Sequence, residues 1–485
     1  MLLTHSYHLL YDRKQVRKMQ PYPPLGTLFA ASVLRQKGLS VALFDTMLRD
    51  PVSEFPDVLG ACRPKIVAIY EDDFNFLTKM CLSRMRELAW QMAALAREAG
   101  AVVVCHGSDA TDHAADYLQH SVDYVLFGES EYALADLCRK LSRGTAGAIP
   151  GVVQAESSIL STRVSHNVGD FTALPSPAWD LVDIKSYREA WRTAHGYFSL
   201  NLVSSRGCPY RCNWCAKPIS GDKFRLRAPA TVADEMLRLK RDCSAEHFWF
   251  ADDVFALSHT WTTEFANEVQ SRECQVAFKI QSRADLMSER TVADLKRAGC
   301  SEVWMGVESG SQKVLDAMDK GLHVQQIIDA RNRLKSADIR ACYFLQFGYP
   351  GEEWEDIQKT ISLVRSTRPD DIGVSLSYPL PNTGFYNRVR DELGHKRNWR
   401  DSDDLCVIFK GAYTDSFYRA IRDALHAEVE SWTAGVTTGL SVSDIWKSVE
   451  SMEPFSRNSD ATLAHSSARS SIVPLAQLAF NGKGA

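Results

Sequence analysis

Two stretches of the chain alternate short apolar segments with longer amphipathic ones, and this rhythm restricts the fold more than any other feature. In residues 1 to about 145, strands are expected near Leu2 and at Ser40–Phe44, Ile66–Tyr70, Val102–Cys105 and Asp123–Phe127. Helical patterns lie between and after them, at Leu25–Gln36, Phe76–Ala99, Ala110–His120 and Glu131–Leu141, and Gly38 and Gly100 stand where helices should end. That order implies an α/β unit, a doubly wound parallel sheet with helices on both faces, whose ligands bind beyond the carboxyl ends of the strands. The second alternation runs from Ser199 to about Tyr378, with strands expected at Leu200–Ser204, His247–Phe250, Val276–Ile280, Glu302–Met305, Cys342–Phe347 and Ile372–Ser377. Six such repeats imply a partial (β/α)6 barrel, with its chemistry at the C-terminal ends of the strands. Between the two runs, Leu174-Pro-Ser-Pro-Ala-Trp-Asp180 reads as a linker. From about Glu392 the pattern is helical, and the last thirty residues, rich in Ser and Ala, read as a disordered tail. The expected division is thus a sheet domain at 1–145, a linker at 146–198, a barrel at 199–385, a helical domain at 386–455 and a tail at 456–485.

Hydrophobic residues at 45% and charged residues at 24% are globular values. A net charge of −4 with no basic stripe argues against a nucleic-acid partner. No apolar run is long enough to span a membrane, and the first residues lack the layout of a secretory signal, so a cytoplasmic location is expected. In such a chain twelve cysteines imply buried thiols or a metal site rather than disulfides. Nine are dispersed: Cys62, Cys81, Cys105, Cys138, Cys243, Cys274, Cys300, Cys342 and Cys406, expected as small core residues.

The other three stand in Ser205-Arg-Gly-Cys208-Pro-Tyr-Arg-Cys212-Asn-Trp-Cys215-Ala-Lys-Pro, directly after an expected strand. Three thiolates on one short loop can hold three irons of a [4Fe–4S] cube and leave the fourth open to a small ligand, whereas four ligands would close it. Structural zinc asks for four Cys or His ligands, often in two pairs, and no paired fourth ligand is present. Polar residues follow the other barrel strands: Asp252 and Asp253, Arg283, Glu308 in Gly306-Val-Glu-Ser-Gly310, and Gly348-Tyr-Pro-Gly-Glu352.

The cysteine spacing at the end of a first barrel strand resembles the radical S-adenosylmethionine (SAM) superfamily. The resemblance implies that SAM chelates the open iron and is reductively cleaved to a 5′-deoxyadenosyl radical. Arg283 would then face the SAM carboxylate and Glu308 its ammonium, the alternative being an ion pair between the two; Gly348 and Gly351 would let backbone approach the adenine, the alternative being that they only make the turn. With the preceding sheet domain, residues 1–385 resemble the cobalamin-binding branch. Pro23-Pro-Leu-Gly26, His106-Gly-Ser-Asp-Ala-Thr111 and Phe127-Gly-Glu-Ser-Glu131 carry that likeness. It implies that Gly107, Ser108, Thr111, Gly128 and Glu129 lie around cobalamin and its tail. The chain departs from the mutase pattern in lacking Asp-x-His-x-x-Gly, the source of a cobalt-ligating histidine, and His5, His8, His106 and His113 read as ordinary loop histidines. No Gly-x-Gly-x-x-Gly follows the first strand, and no Walker loop is present.

Trp304-Met-Gly-Val-Glu-Ser-Gly-Ser-Gln, Met318-Asp-Lys-Gly321, Asp370-Asp-Ile-Gly and Tyr378-Pro-Leu-Pro-Asn-Thr383 are similar to the group containing the anaerobic magnesium-protoporphyrin monomethyl ester cyclase and natural-product methylases. Two readings follow. In the first, the enzyme transfers methyl to an unactivated carbon, or phosphorus, of a small-molecule biosynthetic intermediate through the 5′-deoxyadenosyl radical and methylcobalamin. In the second, it performs a cobalamin-dependent radical cyclisation, oxygenation or rearrangement. A methylthiotransferase would need further clustered cysteines, and a non-catalytic carrier would not need the polar residues at the strand ends. Either reading implies a flavodoxin- or ferredoxin-type electron donor. Trp399, Tyr413 and Tyr418 are candidates to line a substrate pocket, their alternative being core.

Overall fold

The computed structural model describes residues 1–145, 147–155, 171–433 and 441–458. Strands β1 (Leu2–Thr4), β2 (Ala42–Phe44), β3 (Ile66–Tyr70), β4 (Val102–His106), β5 (Tyr124–Leu126) and β6 (Val152–Val153) form one sheet in the order β2-β1-β3-β4-β5-β6. The first five are parallel, and β6 runs antiparallel to β5. Successive strand side chains point to opposite faces. Leu3, Ala68, Val104 and Leu126 accordingly enter a core with the helix Leu25–Gln36, while Leu2, Val67, Val103 and Val125 enter another with Phe55, Leu88 and Met92. Both faces are buried, as parallel sheets require.

Gly38 and Gly100 end helices in the left-handed region, at φ +80° and +81°. Three expectations change. A helix, Pro51–Cys62, stands where none was expected, started by Asp50 capping Val52 N–H with Pro51 in the first turn. Phe76–Ala99 is two helices, Phe76–Lys79 and Ser83–Glu98, parted at Cys81 with φ +52°. Ala110–His120 divides at His113 into Ser108–Asp112 and Ala114–Gln119.

Strands β7 (Ser199–Leu202), β10 (His247–Phe250), β11 (Ala277–Ser282), β12 (Cys300–Glu308), β13 (Arg340–Phe347) and β14 (Asp371–Leu376) form a second, all-parallel sheet in sequence order. Between β7 and β10, the short strands β8 (Ser205–Arg206) and β9 (Arg225–Leu226) pair antiparallel. β7 and β14 are the free edges, so the barrel is partial. The segment before the helix Leu25–Gln36 runs along the β7 side: Asn201 Nδ2 donates to Pro23 O (2.9 Å), and Tyr22 Oη meets Ser199 Oγ (3.1 Å).

The segment expected as a linker contains a helix, Ile184–His195, whose buried Trp191 donates to Pro21 O (2.7 Å). Residues 393–414, expected to be helical, form no helix; the C-terminal helices are Gly384–Val389, Asp415–Thr433 and Val442–Ser456. Beyond residue 458 the expected tail lies outside the described residues. Eight of the dispersed cysteines are buried, but Cys62 is exposed.

A buried ionic junction joins the two sheets. Arg206 on β8 is fully buried, ion-paired to Glu131, with Asp73 Oδ2 at 3.9 Å and the Phe74 ring 4.8 Å from its guanidinium. Arg225 on β9 pairs with Glu129. Removing one partner of a buried pair strands the other charge, at about 3–5 kcal/mol. Arg206→Met should therefore lower unfolding free energy by about that amount in urea titrations followed by circular dichroism. A loss below about 1 kcal/mol, the range of surface pairs, would contradict this account of the junction.

Candidate functional site

The cysteine loop begins where β7 ends and is fastened on three sides. At its root, Asp252, after β10, accepts from Ser204 N–H (3.1 Å), Ser204 Oγ (2.7 Å) and Ser205 Oγ. Burial pushes this carboxyl up to about 6 against those hydrogen bonds. Gly207 has φ +79°, and a Cβ there would collide with the Lys223 carbonyl. Within the loop, Lys217 Nζ donates to Cys208 O (2.9 Å) and Tyr210 O (2.6 Å). Asn213 clamps the far side: its N–H donates to Met318 O (3.0 Å), its side chain to Ala317 O (2.8 Å), and Tyr349 Oη donates to its Oδ1 (2.7 Å).

Cys208 is buried, Cys212 and Cys215 are half-buried, and all three thiols are free. Burial pushes Cys215 up to about 12, with Asp253 and the other two cysteines adding to the rise; Cys208 is raised chiefly by burial as well. Thiolates in such surroundings need a compensating cation, which a metal cluster supplies. Among the described residues no three Cys, His, Asp or Glu side chains converge as ligands of one ion. Three thiolates on one short loop can each hold a different iron of a cluster and leave the fourth open.

Around it lie the expected strand-end residues. Asp253 binds Lys79 from the N-terminal unit at 2.5 Å. Arg283 is buried, stacks 3.7 Å over the Tyr210 ring of the cysteine loop and binds Asp285 (3.0 Å). Its Nη1 is buried without a partner. Glu308, buried at φ +61°, pairs with Lys320 at 2.8 Å. The alternative of an Arg283–Glu308 ion pair is thereby corrected, since each has its own opposite charge nearby. Gly306 leaves room for the Glu308–Lys320 pair, as a Cβ would meet Lys320 Nζ at 2.8 Å. Gly348, at φ +77°, donates its N–H to Glu352 (2.6 Å) and lies against the Tyr418 ring.

In the N-terminal sheet the order β2-β1-β3 places the change of winding direction between β1 and β3, where sheets of this type take ligands. Ser6 N–H there donates to Glu71 (2.9 Å). Gly107 follows β4 with φ +137°, and a Cβ would meet the Glu71 side chain at 2.8 Å. Ser108 is buried beside it, while the Thr111 hydroxyl donates to Gly107 O (2.8 Å). Gly128 O takes His106 Nε2 (2.9 Å), and Glu129 is held by Arg225. Burial lifts Glu129 to about 7 against the two nearby arginines. Thr111 and Glu129 are thus engaged within the protein. His5 pairs with Asp45 (2.8 Å) and His8 meets Thr46 O (2.8 Å).

A cavity of about 590 Å³ opens between this edge and the barrel, in the size range of small-molecule sites. Tyr7, Met47 and Asn75–Leu77 face it from the segments that follow β1, β2 and β3, and Trp249, Lys279, Trp304 and Phe344 from the barrel. Trp399, Tyr413 and Tyr418 lie elsewhere in the core: Trp399 stacks on Tyr378 (4.4 Å), and Tyr413 donates to Glu453 (2.7 Å). Sequence reading missed Asn213 and Lys217, whose partners emerge only on folding, and Lys279, whose signal is a charge inside an apolar strand.

Glu352 supplies a pH test of this geometry. Burial pushes its carboxyl up to about 8 from an ordinary 4.5, against the Gly348 hydrogen bond. Between those values the unfolded chain gives up a proton that the folded chain keeps, so stability falls as pH rises. Glu352→Gln keeps an acceptor and does not titrate. Its Tm relative to the parent should rise between about pH 5 and pH 8; a pH-independent difference would contradict a buried neutral carboxyl.

Residues 202–364 match the radical SAM superfamily. The chain is 25% identical to an uncharacterized methyltransferase of Pyrococcus horikoshii, over 80% of this chain and 83% of that protein. It is 23% identical to an anaerobic magnesium-protoporphyrin IX monomethyl ester cyclase of Rubrivivax gelatinosus, over 56% of this chain and 49% of the cyclase. The fold matches that of the radical SAM methyltransferase TsrM of Kitasatospora setae, solved with cobalamin and a [4Fe–4S] cluster, at TM-score 0.65 and 18% identity over 80% of this chain and 77% of TsrM. No helix among the described residues is long and apolar enough to cross a membrane.

Proposed function

We propose that this chain, in which residues 202–364 are a radical SAM domain, is a cobalamin-dependent enzyme that transfers methyl to an unactivated carbon, or phosphorus, of a small-molecule intermediate. One observation carries the reading: Arg206, two residues before the first loop cysteine, is buried in an ion pair with Glu131 of the N-terminal unit. The cysteine loop is thereby fixed against the ligand edge of the first sheet. The names of the Pyrococcus horikoshii relative and of TsrM support methyl transfer, and the cobalamin of TsrM supports the same cofactor here.

Cys208, Cys212 and Cys215 would hold the cluster. Arg283 would bind the SAM carboxylate, satisfying its orphaned Nη1, and Glu308 the SAM ammonium, shared with Lys320. The loops at Tyr7, Met47 and Asn75–Leu77, with Gly107 and Ser108 beside them, would hold cobalamin. When bound, these groups supply radical hydrogen abstraction and a transferable methyl group, which polar chemistry on an unactivated carbon cannot. The chain's own part is to orient and to exclude water. Tyr210 under Arg283 fixes the SAM-binding cation to the cysteine loop, and Trp214 packs with an apolar cluster containing Met318, Phe385 and Phe409. Reduction would come from a flavodoxin- or ferredoxin-type donor.

The cyclase relative favours a second reading, radical cyclisation or rearrangement without net methyl transfer. Anaerobic reconstitution with iron, sulfide and hydroxocobalamin, then SAM, substrate and reductant, separates the two by mass spectrometry. Methyl transfer predicts 5′-deoxyadenosine and S-adenosylhomocysteine together; cyclisation predicts the first alone. A Cys208→Ala/Cys212→Ala/Cys215→Ala variant should lose iron and form neither. Iron retained by that variant, or no cobalamin retained by the parent, would contradict the proposal.

A further inference from the structure

The cavity between barrel and first sheet carries a charge pattern with no part in the cysteine loop. Two lysines face it: Lys18, at the end of the helix Arg13–Lys18, and Lys279, from the middle of β11. Lys279 Nζ donates to a neutral atom, Gln20 Oε1, at 3.1 Å. Among the described residues neither lysine lies within ion-pair distance of a carboxylate. Burial holds both below the ordinary lysine range; Asp371 opposes this at Lys18 while Lys279 adds to it, and Glu302 opposes it at Lys279.

The other charges facing the cavity are largely spoken for. Glu302 accepts from Trp304 Nε1 (2.7 Å) and lies 3.4 Å from Arg340; Glu246 binds Arg192 (3.2 Å). Asp371 accepts from Ile372 N–H (2.7 Å), and burial and the nearby Lys279 hold His247 neutral. The walls are flat: Tyr22 and Trp249 lie 5.7 and 6.0 Å from the Lys279 ammonium, and Trp304 stacks on Phe344 at 4.8 Å. Two cations among aromatic faces, with Glu302 and Asp371 near but no carboxylate of the described residues within 4.0 Å of either ammonium, suit an anion on a flat body. Glu302 and Asp371 nearby would repel a second negative charge, which favours a carboxylate over a phosphate dianion.

Lys279 precedes Arg283 by four residues, about 13 Å along a strand at roughly 3.3 Å per residue. A ligand anchored at Lys279 and extended along the strand direction would reach the strand ends and the cysteine loop. We propose that Lys279, with Lys18, anchors the carboxylate of an aromatic or conjugated small-molecule acid, and that this acid is the substrate of the reaction proposed above. The substrate role of this acid rests on the proposed function; its anchoring rests on the cavity alone.

Calorimetry on the full-length reconstituted chain, without SAM or reductant, tests it. The probes are indole-3-propionate, trans-cinnamate and the neutral amide of each. The acids should bind at least about tenfold more tightly than their amides and weaken with added salt. Lys279→Gln and Lys18→Gln should each weaken acid binding about tenfold and leave the amides unchanged, while Lys185→Gln on the outer surface changes neither. Thermal unfolding of the variants checks that they fold. Equal affinity for acid and amide, indifference of acid binding to Lys279→Gln, or no heat from any probe would overturn the proposal. Because no turnover is required, acid-selective binding without cobalamin retention would refute the cofactor reading and leave the anchor standing; cobalamin retention without acid selectivity would do the reverse.

Discussion

The architecture turns on one buried arginine. Arg206 sits between β7 and the cysteine loop, yet its charge is answered by Glu131 and Asp73 from the other sheet. A guanidinium buried there without a neighbouring carboxylate would cost about 3–5 kcal/mol, which favours the docked arrangement that supplies one. Docking then aligns the rest. Arg225 reaches Glu129, Lys79 reaches Asp253, and the segment before Leu25 lines the open side of the barrel. The loop that can hold a cluster and the edge that can hold a large cofactor face each other because this charge must be neutralised.

Around that junction, carboxylates are used to shape loops. Asp252 ties the root of the cysteine loop with three donors from Ser204 and Ser205. Asp285 binds Arg283, Glu308 pairs with Lys320, and Glu352 accepts from Gly348 N–H. Asp252, Arg283, Glu308 and Gly348 sit at or just past the end of a barrel strand, where backbone geometry fixes direction and loops vary freely.

Legibility in the sequence followed the range of the interactions. Ile66–Tyr70, His247–Phe250 and Leu25–Gln36 could be read to the residue, because apolar runs and Gly38 bound them locally. The helix Pro51–Cys62 escaped notice because Pro51 and Pro56 disguise it, and no glycine or proline signals the break at Cys81. The pattern from about Glu392 reads as helical, but in 393–414 Trp399 and Tyr413 anchor an irregular segment by stacking and a long-range hydrogen bond. The cysteine spacing was explicit. The engagement of Glu129 by Arg225, 96 residues away, was not, and neither was the meeting of Lys18 with Lys279 across a cavity.

The proposed function requires one cluster on the cysteine loop to face one cobalamin on the edge of the first sheet. The most direct measurement is an anomalous-scattering crystal structure of the anaerobically reconstituted chain, with data at the iron and cobalt edges. This account predicts iron density bounded by Cys208, Cys212 and Cys215, and one cobalt peak in the space between the ends of β1 and β3 and the barrel. Iron bound elsewhere, or cobalt on the outer surface with that space empty, would contradict it.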